Sequence, residues 1–298
     1  MWVLDVRREP YLLAAAAVQA TRRVQVGTNV AVAFARSPAA TATAAWDLAL
    51  WSGGRFVLGL GSQVGPTLEA RFGVTADHPG PRMRDYVRAV RACFAAFRSG
   101  RGRYEGDYYT IRRPAFQPSA DDLPEDPPVY VGAVNPYMSG IAGEVGDGLA
   151  AHSFSTREYL REVVRPALAA GAARAGRPPP PVLLQLLVAP TREAAATQMI
   201  GYTVPGYRRV LDHAGLGELA DRVMAAAAEG RRDDARRLIA GGCLDRLAVV
   251  VGDDLEAALA RWHGLAERIT VSVPWFGTRD ADQLAQAEGL IQRIRGLR

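Results

Sequence analysis

Three short segments place small, backbone-exposing residues where the chain leaves an apolar stretch, and such positions can bring main-chain amides to a ligand. In Val129-Tyr130-Val131-Gly132-Ala133-Val134-Asn135-Pro136, a buried strand ends in small residues and a capped helix begins. Free amides at a helix start, reinforced by the helix dipole, suit a phosphate, and glycine admits a ligand close to the backbone. An ordinary strand-to-helix loop with a good cap explains the fragment equally well. In Gly59-Leu60-Gly61-Ser62-Gln63-Val64-Gly65 the glycines suggest a dinucleotide loop, but the third comes one residue late and Pro66 follows, so that reading fails on spacing. What remains is a Gly-Leu-Gly-Ser strand end that offers backbone and the Ser62 hydroxyl at the catalytic face of a barrel. In Val26-Gly27-Thr28-Asn29-Val30-Ala31-Val32-Ala33-Phe34, glycine and two small polar residues interrupt a β-branched run. A bulge or a close backbone approach accounts for this; a slightly irregular core strand is the simpler account.

The titratable residues offer less. His78, His152, His213 and His263 show no metal-ligand spacing to one another, which argues against a metal centre. His152, in Ala150-Ala151-His152-Ser153, is the one histidine at the C-terminal end of a strand. It reads as a ligand contact, with a structural hydrogen-bonding role as the alternative. Cys93 and Cys243 lie in helical patterns and read as buried thiols. No nucleophile elbow, zinc-protease helix or Walker loop is present.

The elements that must position these residues alternate between strand and helix. Pro10 opens a helix through Ala20, and Ser37-Pro38 opens another to Ser52, stopped by Gly53-Gly54. Strands are expected at Trp2–Leu4, Val24–Val32, Arg55–Gly61, Val129–Val131, Asp147–His152, Val182–Val188 and Ile269–Val273. Leu247–Val251 reads as a short extended connection. Pro81–Phe97 is amphipathic, with Met83, Val87, Val90 and Phe94 on one side. A small β excursion is expected near 100–118, an acidic, proline-rich loop over Ser119–Pro128, and a helical insertion near 202–240. Alternation predicts a parallel sheet in an α/β fold. About seven strands suit a (β/α)8 TIM-type barrel lacking one unit, with a doubly wound sheet as the alternative. One domain over 1–298 is the expected organisation.

Composition narrows the function classes. The chain has 298 residues, is 49% hydrophobic and carries a net charge of +5. No apolar run reaches membrane-spanning length and no secretion signal opens the sequence, so no membrane partner and a cytoplasmic protein are expected. All 36 basic residues are arginine and lie among carboxylates, as in Arg231-Arg232-Asp233-Asp234. Solvated helix faces are the expected setting, and no nucleic acid is expected as a partner.

Taken together, four passages resemble the luciferase-like monooxygenase superfamily, in its coenzyme F-420-dependent oxidoreductase branch and an actinobacterial subgroup of it. They are Gly27-Thr28-Asn29-Val30-Ala31-Val32-Ala33-Phe34-Ala35-Arg36-Ser37-Pro38, Ser52-Gly53-Gly54-Arg55-Phe56-Val57-Leu58-Gly59-Leu60-Gly61-Ser62-Gln63, Pro81-Arg82-Met83-Arg84-Asp85-Tyr86 and Ala142-Gly143-Glu144-Val145-Gly146-Asp147-Gly148. The resemblance implies a (β/α)8 barrel with insertions, here lacking the first strand and helix in the sequence as given. It implies a non-proline cis peptide near Asn29-Val30. It assigns cofactor contacts to Thr28, Asn29, Val30, Ser62, Gln63, Gly132, Ala133 and Val134, with His152 and Ser153 bordering the cofactor or substrate mouth. Many relatives carry a histidine after the acidic residue at the position of Asp5. This chain has Val6 there, which cannot move a proton, so Asp5 keeps a cofactor contact and no catalytic acid or base is assigned. The implied activity is hydride transfer between coenzyme F-420, a deazaflavin, and a small organic substrate, in a homodimer. The alternatives are a monooxygenase using reduced FMN and a non-catalytic partner subunit.

Overall fold

A computed structural model describes residues 1–75, 77–113 and 123–297. The predicted end of the β excursion and the start of the acidic loop fall on 114–122, outside the described residues. The chain divides into two compact units, Met1–Ala150 with Ala167–Pro180, and Ala151–Pro166 with Pro181–Arg298.

The first unit carries strands β1 (Trp2–Val3), β2 (Val26–Thr28), β3 (Ala31–Val32), β4 (Phe56–Gly61), β5 (Tyr104–Glu105), β6 (Thr110–Ile111), β7 (Val129–Ala133) and β8 (Gly148–Ala151). The main sheet runs β1-β2-β4-β7-β8, with β3 also on β4. The β1–β2, β2–β4, β3–β4 and β4–β7 pairs are all parallel. Every residue of β4 is buried, which is why Phe56-Val57-Leu58 reads as a continuous apolar run rather than an alternating one.

Local chemistry accounts for the helices between these strands. Glu9 caps Pro10–Ala20 by accepting from Tyr11 N–H at 3.3 Å. Ser37 caps Pro38–Ser52 by accepting from Ala40 N–H at 3.2 Å, and Gly53 ends that helix at φ 62°, a left-handed conformation that glycine adopts without steric cost. The amphipathic helix extends over Pro79–Ser99 and buries Met83, Tyr86, Val87, Val90 and Phe94. A short helix, Gly65–Phe72, follows β4; its single buried residue, Leu68, leaves no apolar periodicity for the sequence to display.

The predicted strand over Val24–Val32 is not continuous. Val26 and Gly27 lie opposite Phe56 and Val57, whereas Ala31 and Val32 lie opposite Leu60 and Gly61. The offset falls from 30 to 29 between the two pairings, so one extra residue is accommodated, as in a bulge. The Asn29-Val30 peptide within it is cis. The Thr28 hydroxyl repairs the interrupted ladder: it donates to Gly59 C=O at 2.7 Å and accepts from Gly59 N–H at 2.9 Å. A Cβ on Gly59 would overlap the Thr28 carbonyl oxygen.

β5 and β6 form the expected excursion as an antiparallel pair. It is tied down by Asp85, a buried carboxylate that accepts from the Tyr104 hydroxyl, from Tyr108 N–H at 2.8 Å and from Tyr109 N–H at 3.0 Å.

The second unit is built on β9 (Val182–Ala189), buried throughout, with β10 (Val249–Val251) and β11 (Arg268–Ser272) both paired parallel to it. Leu247–Val251 is therefore not merely a connection. Its three-residue strand is defined by pairing with β9, a long-range contact that its own length does not announce. Helices and short turns fill most of 200–242. The Thr156-capped segment contains a π turn at Leu160–Val164.

Thr28→Val is expected to leave both buried Gly59 backbone groups without a partner, at a cost of about 2–3 kcal/mol, and Gly59→Ala to destabilise at least as much by overlap. Thermal melting of the two variants checks this; a Tm drop of roughly 5 °C or more is expected in each case.

Candidate functional site

The bulge sets the geometry at the C-terminal ends of β2, β4 and β7. Val30 projects between two glycines: a Cβ on Gly61 would collide with the Val30 side chain, and one on Gly132 would meet it at 3.2 Å. Thr28 is fully buried and Asn29 nearly so, at 9% exposure. Asn29 N–H donates to Val3 C=O at 2.8 Å, while its carboxamide makes no hydrogen bond with the described residues. Ser62 and Gln63 continue directly from β4. Gln63 has a φ of 60° and accepts from Val64 N–H at 3.0 Å, and the Ser62 hydroxyl donates to Gln63 C=O at 3.3 Å. Gly132, Ala133 and Val134 lead into Asn135, whose carboxamide oxygen accepts from Met138 N–H at 2.8 Å and caps Pro136–Val145.

Asp5 follows β1 and faces this bulge. Its buried carboxylate accepts from Val32 N–H at 3.1 Å and from Arg36 at 2.8 Å, and it lies 3.7 Å from Arg71. Arg36 also bridges to Glu9 at 2.6 Å. Asp5 therefore ties the end of β1 to the residue pair just beyond the cis peptide.

His152 and Ser153 belong to the second unit. The His152 ring packs 4.1 Å from Tyr202 and 5.4 Å from Tyr207, centroid to centroid, and its Nδ1 accepts from Phe154 N–H at 2.9 Å. Phe154, Tyr202, Tyr207, Leu211 and Met224 line a small cleft beside it, of about 10 Å³. Burial among these groups lowers the imidazole pKa to about 4. At neutral pH the ring is uncharged, and with Nδ1 accepting, its proton sits on Nε2. Burial also raises the Tyr202 and Tyr207 pKa values, so both remain neutral phenols.

Residues 1–269 match the luciferase-like monooxygenase family. The chain belongs to that family. It is an enzyme, in the branch that holds F-420-dependent oxidoreductases. An uncharacterized protein of Mycobacterium tuberculosis is 36% identical over 285 residues, covering 90% of this chain and 84% of that protein. A putative coenzyme F-420-dependent oxidoreductase of the same organism is 28% identical over 303 residues, covering 91% and 84%. Among solved structures, the coenzyme F-420-dependent tetrahydromethanopterin reductase of Methanopyrus kandleri superposes with a TM-score of 0.75 at 19% identity, covering 95% of this chain and 87% of that one. The fold class is thus the α/β, TIM-barrel type of the luciferase-like proteins.

In this luciferase-like enzyme, Val30, Gly61 and Gly132 meet within the first unit, and Thr28 joins them through Gly59. The residues singled out at three separate places in the sequence thus share one sheet end. What the sequence did not announce is how they are braced. The Thr28–Gly59 exchange and the Asp5–Arg36 pair join residues 31 positions apart. The one local hint was the presence of Arg36 in a passage that carries the family resemblance. No cluster of metal-ligating side chains occurs among the described residues, and none of their helices is long and apolar enough to cross a membrane.

The His152 pKa lies below that of an exposed histidine, about 6.5, so folding disfavours its protonation. Stability linked to this ring is complete above pH 6.5 and is lost as the pH falls toward 4, by about 3 kcal/mol in all. Denaturant titrations at neutral and acidic pH are expected to show this loss in the wild type and its reduction in His152→Gln.

Proposed function

We propose that this enzyme transfers a hydride between coenzyme F-420 and a small organic substrate. The observation that carries the reading is the glycine ledge at the ends of β4 and β7, with Val30 seated between Gly61 and Gly132. Support comes from the relatives and the structural neighbour named for this cofactor. The residues fit a flat, largely apolar ring with a phosphate-bearing tail. Val30 would back the ring, while Asn29 offers a carboxamide with no hydrogen bond to the described residues. Gly132, Ala133 and Val134 would offer backbone, and Ser62 and Gln63 the polar groups at the neighbouring strand end. The deazaflavin ring, when bound, supplies a carbon that gives or takes a hydride.

The chain's own residues then orient and insulate. The Thr28 hydroxyl, occupied in both directions by Gly59, is a positioning group with no proton to give. Asp5 is also a positioning group, since Arg36 and Val32 already engage its carboxylate. It holds Val32, two residues past Val30, and through it the wall formed by the bulge. His152, in the second unit, is a neutral Nε2–H donor rather than a cation. A homodimer and a cytoplasmic setting belong to the same proposal.

Fluorescence titration with coenzyme F-420 and with FMN tests the reading. F-420 is expected to bind at least ~10-fold more tightly, a difference of about 1.4 kcal/mol. Gly132→Val, which places a branched side chain on the ledge, is expected to weaken F-420 binding by a similar factor or more. Tighter binding of FMN, or binding of neither, overturns the proposal.

A further inference from the structure

The amphipathic helix Pro79–Ser99 presents Arg84, Arg88 and Arg91 at i, i+4 and i+7, a spacing that aligns them on one helix face. Arg174 and Arg177 reach the same place from the end of the helix Arg165–Arg174 and the turn after it. Gly140 and Gly143 allow that helix to lie directly on Pro136–Val145, because a Cβ on Gly143 would overlap the Leu168 carbonyl. Together they line a groove of about 590 Å³ that also includes Glu144, Val145 and Ala175.

The charges in this groove do not cancel. Glu144 is shared between Arg84 at 2.9 Å and Arg88 at 2.8 Å. Arg91 pairs with Asp147 at 2.8 Å and donates to Val145 C=O at 3.1 Å. Arg177 donates to Gly146 C=O. Arg174 is exposed and has no ion pair or hydrogen bond with the described residues. Among the described residues, five guanidinium groups thus face two carboxylates. Capping of helix-end carbonyls explains Arg91 and Arg177, but it explains neither the pair sharing one carboxylate nor the unpaired Arg174. The groove lies where β8 begins, at the opposite end of β7 from Gly132.

The geometry points to an anion-binding site in this groove, separate from the proposed cofactor ledge, that takes a compact, multiply charged phosphate such as a diphosphate or triphosphate group. Planar guanidinium forks match phosphate oxygens and hold them bidentately. Among the described residues the lining contains no aromatic ring that would stack on a base. Recognition is therefore of the phosphates alone.

Calorimetric titration of the full chain at low ionic strength with tripolyphosphate, adenosine triphosphate and inorganic phosphate tests this. Tripolyphosphate is expected to bind saturably, with an affinity within about threefold of the nucleotide, at least ~10-fold tighter than inorganic phosphate, and weakening as salt is added. Arg174→Ala and Arg88→Ala, both on exposed side chains, are each expected to weaken tripolyphosphate at least ~10-fold, with melting temperature and F-420 titration unchanged. Arg279→Ala, at an exposed Arg–Asp pair on another helix, is expected to have no effect. Absence of saturable binding, equal binding by Arg174→Ala, or an equal loss in Arg279→Ala overturns the proposal. None of these outcomes depends on which ring the cofactor ledge holds.

Discussion

One side-chain hydroxyl holds the candidate site in shape. A parallel ladder that shifts its offset by one residue must leave a main-chain donor and acceptor unpaired in the gap. Both would be buried here, because every residue of β4 is, and each would carry the desolvation cost of an unmade hydrogen bond. Thr28 removes both liabilities by exchanging bonds with the N–H and C=O of Gly59. Only a residue with a donor and an acceptor on one short side chain can do this. Its partner must be glycine, since a Cβ there would occupy the space of the Thr28 carbonyl. With the gap closed in this way, Val30 can project between Gly61 and Gly132 without breaking the sheet.

Charge supports the same end of the first unit by a different route. Asp5 is nearly inaccessible, and a buried carboxylate is costly unless its oxygens are engaged. Arg36, Arg71 and the Val32 amide engage them. The β5–β6 excursion repeats this logic with Asp85, which gathers one hydroxyl and two amides. These carboxylates are consumed in fixing backbone. The arginine groove at the other end of β7 is the opposite case, because among the described residues its cations outnumber its anions.

The second unit uses aromatic burial rather than charge. Packed against Tyr202 and Tyr207, the half-buried His152 loses much of its hydration and with it the ability to hold a second proton near neutrality. A histidine at a strand end is ambiguous in sequence between a cation, a base and a neutral donor. The environment resolves it in favour of the neutral form, and the Phe154 amide selects the tautomer.

Local pattern alone determined the helix starts at Pro10, Pro38 and Pro136, the stop at Gly53, the apolar core of β4 at Phe56-Val57-Leu58, and a small β excursion near Tyr104. Caps, glycine φ preferences and apolar runs act within a few residues and are visible in any short window. The strand-end residues Thr28, Val30, Gly61 and Gly132 could also be singled out there, because small residues at the ends of apolar runs are a local signal. Only the tertiary structure decided that they meet, that the run from Val24 to Val32 breaks at a bulge, that Val249–Val251 is a strand, and that five arginines spread over 94 positions converge on one groove. Each of these depends on which residues lie opposite one another across strands and helices distant in the chain, and no local periodicity records that register.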